Sequence, residues 1–510
     1  MADDDGAQLR VSPGPFVPAH AGSGLPPMAQ GVDLRLDGNQ GSAPSVAFWR
    51  ELGADLEALR GYPTGNALEQ ALAARHGVAV EQIAIGGGAD DVLDRIARAV
   101  LAPGRTLVLP VPTFEMIERY AALAGATVLA VPWTSGAWPR TAVLTAARAT
   151  DATMIAIVSP NNPTGLTAVA EDVDAVAAAL PTTLIVVDAA YAEYGEDGVD
   201  LTARALRWPN VVVVRTFSKA FGLAGLRLGY AIAHPEVARW LRVVGSPFTA
   251  GRLARAAALL RLRTGADEVL AHTTAVRAHR HQLTAQLHRL AAAPLPSQAN
   301  FVLARPSDPG LLRDLLAGLG IGVRAFAFRG MSELASGVRI TVPSDRVEFT
   351  RLTAAVESAL APQAFVLDFD GVLVDVVGRR PLVAAEQLAA LAAVRPVVLV
   401  TSCPRRLCES LLERYGFAPF VQHAICEEDG PGKPDPWPVR EALRRLGVTR
   451  AWMLGDNPGD VQAARAAGVV PFAIEPRGIG AESLAARLRA AGAARLVNSI
   501  GELAALLGGR

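Results

Sequence analysis

Between Val211 and Tyr230 the chain reads VVVVRTFSKAFGLAGLRLGY, and this stretch limits the possible fold more than any other. Four successive valines leading on to Phe217 leave no polar face, the pattern of a strand buried on both sides. Strands of that kind belong to parallel sheets covered by helices, where chemistry gathers just past the carboxyl ends. Ser218 and Lys219 fall at that point, followed by a glycine-broken turn, Arg227 and a second apolar run from Leu228. A lysine so placed can bond covalently to an aldehyde cofactor, and Arg227 can hold an anion beside it. A bare Ser-Lys pair would fit a solvated lysine better, so the weight falls on what the other strand ends supply.

They supply a consistent set. IAIGGGADDVLDRIARAVL reads as a strand, three glycines and an amphipathic helix, and the free N–H groups at such a helix start suit a phosphate. TLVLPVPTF is a strand ending at Phe114; further strands run over about 126–131, 154–158 and 184–187. The last two end in Ser-Pro-Asn-Asn-Pro-Thr-Gly, with Asn162, and in Asp-Ala-Ala-Tyr, with Asp188 and Tyr191. A carboxylate at Asp188 could keep a pyridine nitrogen protonated, Asn162 and Tyr191 could hydrogen-bond a phenolic oxygen, and Phe114 could stack on the ring.

The string Ser-Lys-Ala-Phe-Gly-Leu-Ala-Gly-Leu-Arg-Leu-Gly-Tyr closely resembles the lysine segment of class I/II aminotransferases of the histidinol-phosphate aminotransferase type. The resemblance spans about Val32 to Leu360. It implies PLP fold type I, an α/β architecture with a large mostly parallel sheet domain and a small α+β domain. It also implies pyridoxal 5'-phosphate (PLP) bonded to Lys219 and bound by Gly88, Ala89, Asp90, Phe114, Asn162, Asp188, Tyr191, Ser218 and Arg227. Tyr62 would reach the cofactor phosphate of a partner subunit, which implies a homodimer. Asn39 and Arg339 are the matching substrate-binding positions, Arg339 holding a carboxylate. The substrate-facing text departs from the family. Asn39-Gln40-Gly41-Ser42-Ala43-Pro44 stands where Asn-Glu-Asn-Pro-Tyr-Gly is usual, Pro247-Phe248-Thr249-Ala250-Gly251 where Pro-Phe-Asn-Val-Asn is, and Pro343 replaces a glycine.

A second unit starts after Pro362-Gln363. FVLDFDGVLVD is a strand delivering Asp368 and Asp370 onto one loop; VVLVTS ends at Thr401, GKPDP offers Lys433, and WMLGDNPGD places Asp456 and Asp460. Phosphoryl transfer needs a nucleophile, a proton donor, a metal site and a cation for the developing charge. Asp368 serves as nucleophile, Asp370 as general acid/base, Asp368, Asp370 and Asp456 as Mg²⁺ ligands, and Thr401 and Lys433 hold the phosphate. In this order they resemble the four motifs of haloacid dehalogenase superfamily phosphatases, a Rossmann-like domain. About 25 residues separate the first two motifs and about 30 the next two, too few for a large cap. A site without its own lid takes bulky substrates or borrows a lid from a neighbouring domain, which the fused aminotransferase could supply.

The division expected is a flexible tail over 1–30, an aminotransferase domain over 31–361 and a phosphatase domain over 364–510. At 510 residues the chain has room for these, since cores rarely exceed about 300 residues. Lys+Arg and Asp+Glu are both 49, so no charge excess points to nucleic acid. No apolar run reaches the roughly 18 residues of a membrane span, and MADDDGAQLR lacks a secretory pattern. Three cysteines suit a reducing cytoplasm. Zinc on Cys403, Cys408, His423 and Cys426 lacks Cys-x-x-Cys spacing, so buried thiols are expected instead. His272, His279, His281 and His288 are expected on the solvated face of a long helix. The functional expectation is transamination of an amino/keto phosphate coupled to phosphate ester hydrolysis. A PLP decarboxylase or lyase, or an aminotransferase of specialised metabolism with a separate phosphatase substrate, is the competing reading.

Overall fold

The structure, a computed structural model, describes residues 31–53, 60–196, 198–328, 334 and 336–508. The expected tail over 1–30 lies outside the described residues. Two compact units emerge: one is Gln40–Leu270, and the other runs from Ala271 onward together with the segment ending at Asn39. The small lobe of the aminotransferase part thus belongs with the C-terminal half.

The first unit is built on seven strands: β1 (Ile83–Gly86), β2 (Thr106–Val111), β3 (Thr127–Pro132), β4 (Met154–Val158), β5 (Leu184–Asp188), β6 (Val211–Thr216) and β7 (Gly229–Ile232). Their order is β1-β7-β6-β5-β4-β2-β3, with β7 antiparallel to both neighbours and the other pairings parallel. Because successive side chains point to opposite faces, Met154, Ala156 and Val158 join one apolar cluster while Ile155 and Ile157 join another. All five are buried, which explains why β4 to β6 read as unbroken apolar runs.

The second unit holds two sheets of consequence. The smaller contains β8 (Phe301–Ala304), β9 (Arg324–Ala327) and β10 (Ser336–Thr341), all antiparallel in the order β9-β10-β8. The larger is fully parallel: β11 (Ala364–Leu367), β12 (Val397–Val400), β13 (Val421–Ile425), β14 (Ala451–Gly455), β15 (Val470–Ile474) and β16 (Arg495–Val497), ordered β13-β12-β11-β14-β15-β16. The helix Arg346–Leu360 of the small lobe runs straight into β11. It is pinned there: Trp452 Nε1 donates to Ser358 O at 3.1 Å, and Arg450 bonds Ala361 O and Glu357 at 3.1 and 3.0 Å. Arg495 pairs with Asp314 at 2.9 Å and Arg465 with Asp33 at 3.3 Å.

These contacts bear on the expected lid as far as the small lobe is concerned. Ala451 and Arg495 open their strands, so the small lobe grips the amino-terminal ends of the phosphatase sheet. Asp368 and Asp456 follow the carboxyl ends of β11 and β14, on the opposite side. The small lobe is therefore a foundation for the phosphatase and not its lid. The local structure between Asp370 and β12 is a short hairpin, Val374–Asp375 against Arg380–Pro381.

Candidate active sites

In the first unit the strand ends gather the residues named from the sequence. Asp188 closes β5, is 5% exposed, and accepts the Ala190 N–H on Oδ1 at 3.0 Å. Burial pushes its pKa up to about 6; the Ala190 bond and the charge of Lys219 pull it down, and Asp90 pushes it further up. Tyr191 follows on the same turn, with Lys219 Nζ 5.5 Å from its ring centroid. Phe114 caps the helix Glu115–Leu123 and packs, half-buried, against the apolar cluster behind β2. Asn162 is buried at the end of β4. Its neighbour Asn161, which no pattern singles out, ties two of these loops together. Thr113 Oγ1 donates to its Oδ1 at 2.7 Å, and its Nδ2 donates to Pro112 O and Thr164 Oγ1 at 2.9 and 2.7 Å.

Gly88, Ala89 and Asp90 open the helix Ala89–Val100. Arg227 reaches across: Nη2 donates to Asp90 at 3.1 Å and Nη1 lies 3.5 Å from Ser218 Oγ. Gly88 has φ +100, and a Cβ there would fall 2.6 Å from Arg227 Nη2, so the guanidinium needs a bare backbone at this point. A helix start, a serine and an arginine form an anion cradle, with a buried carboxylate and a lysine nearby. The set fits PLP, because Asp188 carries a burial penalty that a protonated ring nitrogen would relieve. Tyr62 is elsewhere: it is 74% exposed and stacks on Phe248, with centroids 4.7 Å apart. Thr249, one of the departures from the family text, accepts from the buried Arg95 at 2.7 Å.

The second unit holds the expected substrate residues Asn39 and Arg339, both almost fully buried. The segment ending at Asn39 lies along the small sheet. Arg339 Nη2 donates to Asp37 O at 2.6 Å, Thr341 Oγ1 donates to Asn39 Oδ1 at 2.8 Å, and Asn300 Nδ2 donates to Asn39 O at 3.2 Å. The Arg339 guanidinium sits 5.4 Å from the rings of both Phe301 and Phe326.

At the carboxyl ends of β11 and β14, Lys433 Nζ is paired with Asp368 at 2.8 Å and Asp460 at 2.5 Å, and donates to Val400 O at 3.0 Å. Burial raises the pKa of Asp368 and the charge of Asp460 raises it further, against the pull of Lys433. Burial works against the charge on Lys433, but the two carboxylates outweigh it and its pKa is raised. Asp460 Oδ2 also accepts the N–H groups of Asp456 and Asn457 at 3.1 and 3.2 Å. Asp368, Asp456 and Asp460 offer ligand atoms within 4.8 Å of one another, the one group among the described residues close enough to hold a metal. Three crowded carboxylates fit a hard cation such as Mg²⁺. Asp370 is not in that group. With Phe369 turned into the core, the next side chain faces out, and Asp370 accepts the Val376 N–H at 2.9 Å. Asp460, which the sequence placed beside Asp456 without a metal role, joins the group. Thr401 is buried, its hydroxyl accepting the Cys403 N–H at 3.0 Å.

Cys403, Cys408 and Cys426 are free and buried, as expected, and do not form a metal group with His423 among the described residues. The four helical histidines divide. His281 and His288 are exposed, but His272 bonds Ser344 at 2.8 Å, and His279 bonds Pro343 O at 2.8 Å while stacking on Phe349. The expected solvated face is thus half packed.

A family model described as aminotransferase class I and II matches residues 35–356. The chain belongs to the class I and II aminotransferases. A second model, haloacid dehalogenase-like hydrolase, matches residues 380–468, taking in Thr401, Lys433, Asp456 and Asp460 and starting after Asp368 and Asp370. The aminotransferase is thus joined to a haloacid dehalogenase-like hydrolase domain, and both parts are enzymatic. Among similar aminotransferases, histidinol-phosphate aminotransferase 1 of Mesorhizobium japonicum is 37% identical over 319 residues, 60% of this chain and 83% of its own. An aromatic amino acid aminotransferase of Cutibacterium acnes is 34% identical over 276 residues, 53% of this chain and 78% of its own. The histidinol-phosphate aminotransferase of Sinorhizobium meliloti, solved with pyridoxal-5'-phosphate, superposes with a TM-score of 0.59 at 28% identity, over 64% of this chain and 91% of that one. No helix among the described residues is long and apolar enough to cross a membrane.

Proposed function

We propose that this chain is a bifunctional enzyme that aminates a keto phosphate and then removes the phosphate from the amino product. One observation carries the reading: a single chain holds both the Lys219–Asp188–Arg227 set and the Asp368–Lys433–Asp456 set. The names of the relatives support a substrate like imidazole-acetol phosphate, giving histidinol phosphate and then histidinol. The enzyme acts as a homodimer in the cytoplasm, with Tyr62 serving the partner's site. The working domains are 31–361 and 364–510.

PLP, when bound, supplies an electron sink for charge developing at the substrate α-carbon. Asp188 holds the proton on the ring nitrogen, Asn162 and Tyr191 steady the phenolic oxygen, and Phe114 stacks on the ring. Ser218, Arg227 and the helix start at Gly88, Ala89 and Asp90 take the cofactor phosphate. Lys219 anchors the cofactor and, once displaced by substrate, moves the proton at the α-carbon. Asn39 and Arg339 bind the anionic substrate. In the second domain Mg²⁺, when bound by Asp368, Asp456 and Asp460, offsets phosphate charge. Asp368 attacks phosphorus, Asp370 gives a proton to the departing ester oxygen, and Asp370 then draws a proton from the water that frees phosphate from Asp368. Lys433 and Thr401 hold the phosphoryl oxygens.

The test is a pair of variants on one substrate panel. Lys219→Ala should abolish amino transfer and leave hydrolysis of a supplied amino phosphate intact, and Asp368→Asn should do the reverse. Amino transfer by Lys219→Ala, or phosphate release by Asp368→Asn, would reject the assignment.

A further inference from the structure

The substrate-facing segment Gln40–Pro44 lies directly on the turn that carries the anchoring lysine, and two glycines make the contact. Within the turn, Lys219 O accepts the Gly222 N–H at 3.0 Å and Phe217 O accepts the Leu223 N–H at 3.0 Å. Gly41 covers the same Lys219 carbonyl. A Cβ on Gly41 would lie well inside contact distance of Lys219 O, 2.9 Å from its carbonyl carbon and 3.3 Å from Tyr194 Oη. The contact is reciprocal. Gly222 has φ +70, and a Cβ there would strike Ser42 O and come within 3.0 Å of Ser42 C and 3.4 Å of Pro44 Cδ. Each backbone is seated against the other's carbonyl, with no flexible side chain between them to give way.

We infer that Gly41 is a positioning residue for Lys219: its bare Cα lets the substrate-facing segment clamp the lysine turn from above. The inference rests on the aminotransferase reading for what Lys219 does, and on geometry for how it is held. Phe217 and Phe221, both buried, fix the turn from the core side, and Gly41 is its outer wall. Any side chain at 41 must push the Lys219 carbonyl aside, and with it the Cα from which the reacting amine hangs. A misplacement of about 1 Å at a reacting group can cost about 100-fold in rate.

The experiment compares full-length Gly41→Ala and Gly225→Ala, each loaded with PLP. Gly225 lies in the same loop, where an added Cβ meets nothing within 4 Å. Gly41→Ala should retain PLP and release phosphate at the wild-type rate, since the hydrolase domain is elsewhere on the chain. Its kcat for amino transfer should fall roughly 10- to 100-fold with KM little changed, and the pH midpoint of its visible absorbance should move. Gly225→Ala should match wild type in all five readouts. Wild-type kcat and spectrum in Gly41→Ala would overturn the inference. If Gly41→Ala also loses phosphate release and so has not folded, amide exchange in the wild-type holoenzyme decides. The Gly222 N–H should then be protected as strongly as that of Leu223, and exchange at the rate of an open turn would overturn the clamp. Failure of the wild-type chain to bind PLP would reject the aminotransferase reading instead, and the Gly222 amide would still test the packing.

Discussion

Replacing Asp188 by Asn should make the cofactor-free protein more stable and the loaded enzyme inactive. Asp188 is buried and accepts the Ala190 N–H, a bond that an asparagine oxygen can accept equally well. Its pKa rises from the ordinary 3.8 to about 6 in the folded state, because burial disfavours the charge. Between those values the native carboxyl keeps its proton while the unfolded one has lost it, so folding takes up a proton. Stability is therefore lost as pH rises from 3.8 through about 6, and above that the full cost applies. The two values correspond to about 3 kcal/mol. An uncharged amide does not bear this cost. In urea unfolding of PLP-free protein, Asp188→Asn should exceed wild type by about 2–3 kcal/mol at pH 8 and converge with it near pH 4. Loading PLP should stabilise wild type far more than the variant, whose asparagine cannot hold the ring proton. A variant no more stable than wild type at pH 8, or an advantage that does not change with pH, would refute the reasoning.

Lys433→Met leaves Asp368 and Asp460 buried and facing each other without a cation, a loss of about 3–5 kcal/mol. Phosphate release should vanish, and urea unfolding with separate assays of both activities checks that amino transfer survives in the folded fraction. A hydrolase fragment begun at Gln363 lacks the helix that bonds Trp452 and Arg450, whereas one begun at Asp345 keeps it. The longer fragment should melt higher, and equal melting temperatures would show that the helix is not part of that fold. Tyr62→Ala should weaken PLP retention at least several-fold although Tyr62 lies at the surface of its own chain; unchanged retention by dialysis would contradict a site shared between subunits.

That Lys219, Asp188, Asp368 and Asp456 stand at strand ends was legible, because each follows a short β-branched or apolar run of strand length. Gly88 was legible through the strand, glycine and helix pattern around it, and Arg227 through the family-like string that contains it. Three matters were out of reach. That Asp460, on a helix, comes up against Asp368 from another strand end depends on how the two segments are packed and could not be read from either one. Whether a helical histidine is solvated depends on what packs over it, and Pro343 and Phe349, distant in sequence, cover His279. The clamp at Gly41 joins residues some 180 apart through missing side chains, a signal visible only when the backbones are seen together. The same holds for the seat of the small lobe: no local pattern tells which end of a parallel sheet a neighbour will grip.

The central claim is that one chain performs amination and dephosphorylation in that order. Its most direct test supplies the full-length protein with imidazole-acetol phosphate, an amino donor, PLP and Mg²⁺, and follows amino product and free phosphate separately through time. The account predicts that amino phosphate appears first and phosphate follows, that Asp368→Asn stops at the amino phosphate, and that Lys219→Ala yields neither. Phosphate released from the keto ester before amination, or amino phosphate that accumulates untouched by the wild-type chain, would contradict it.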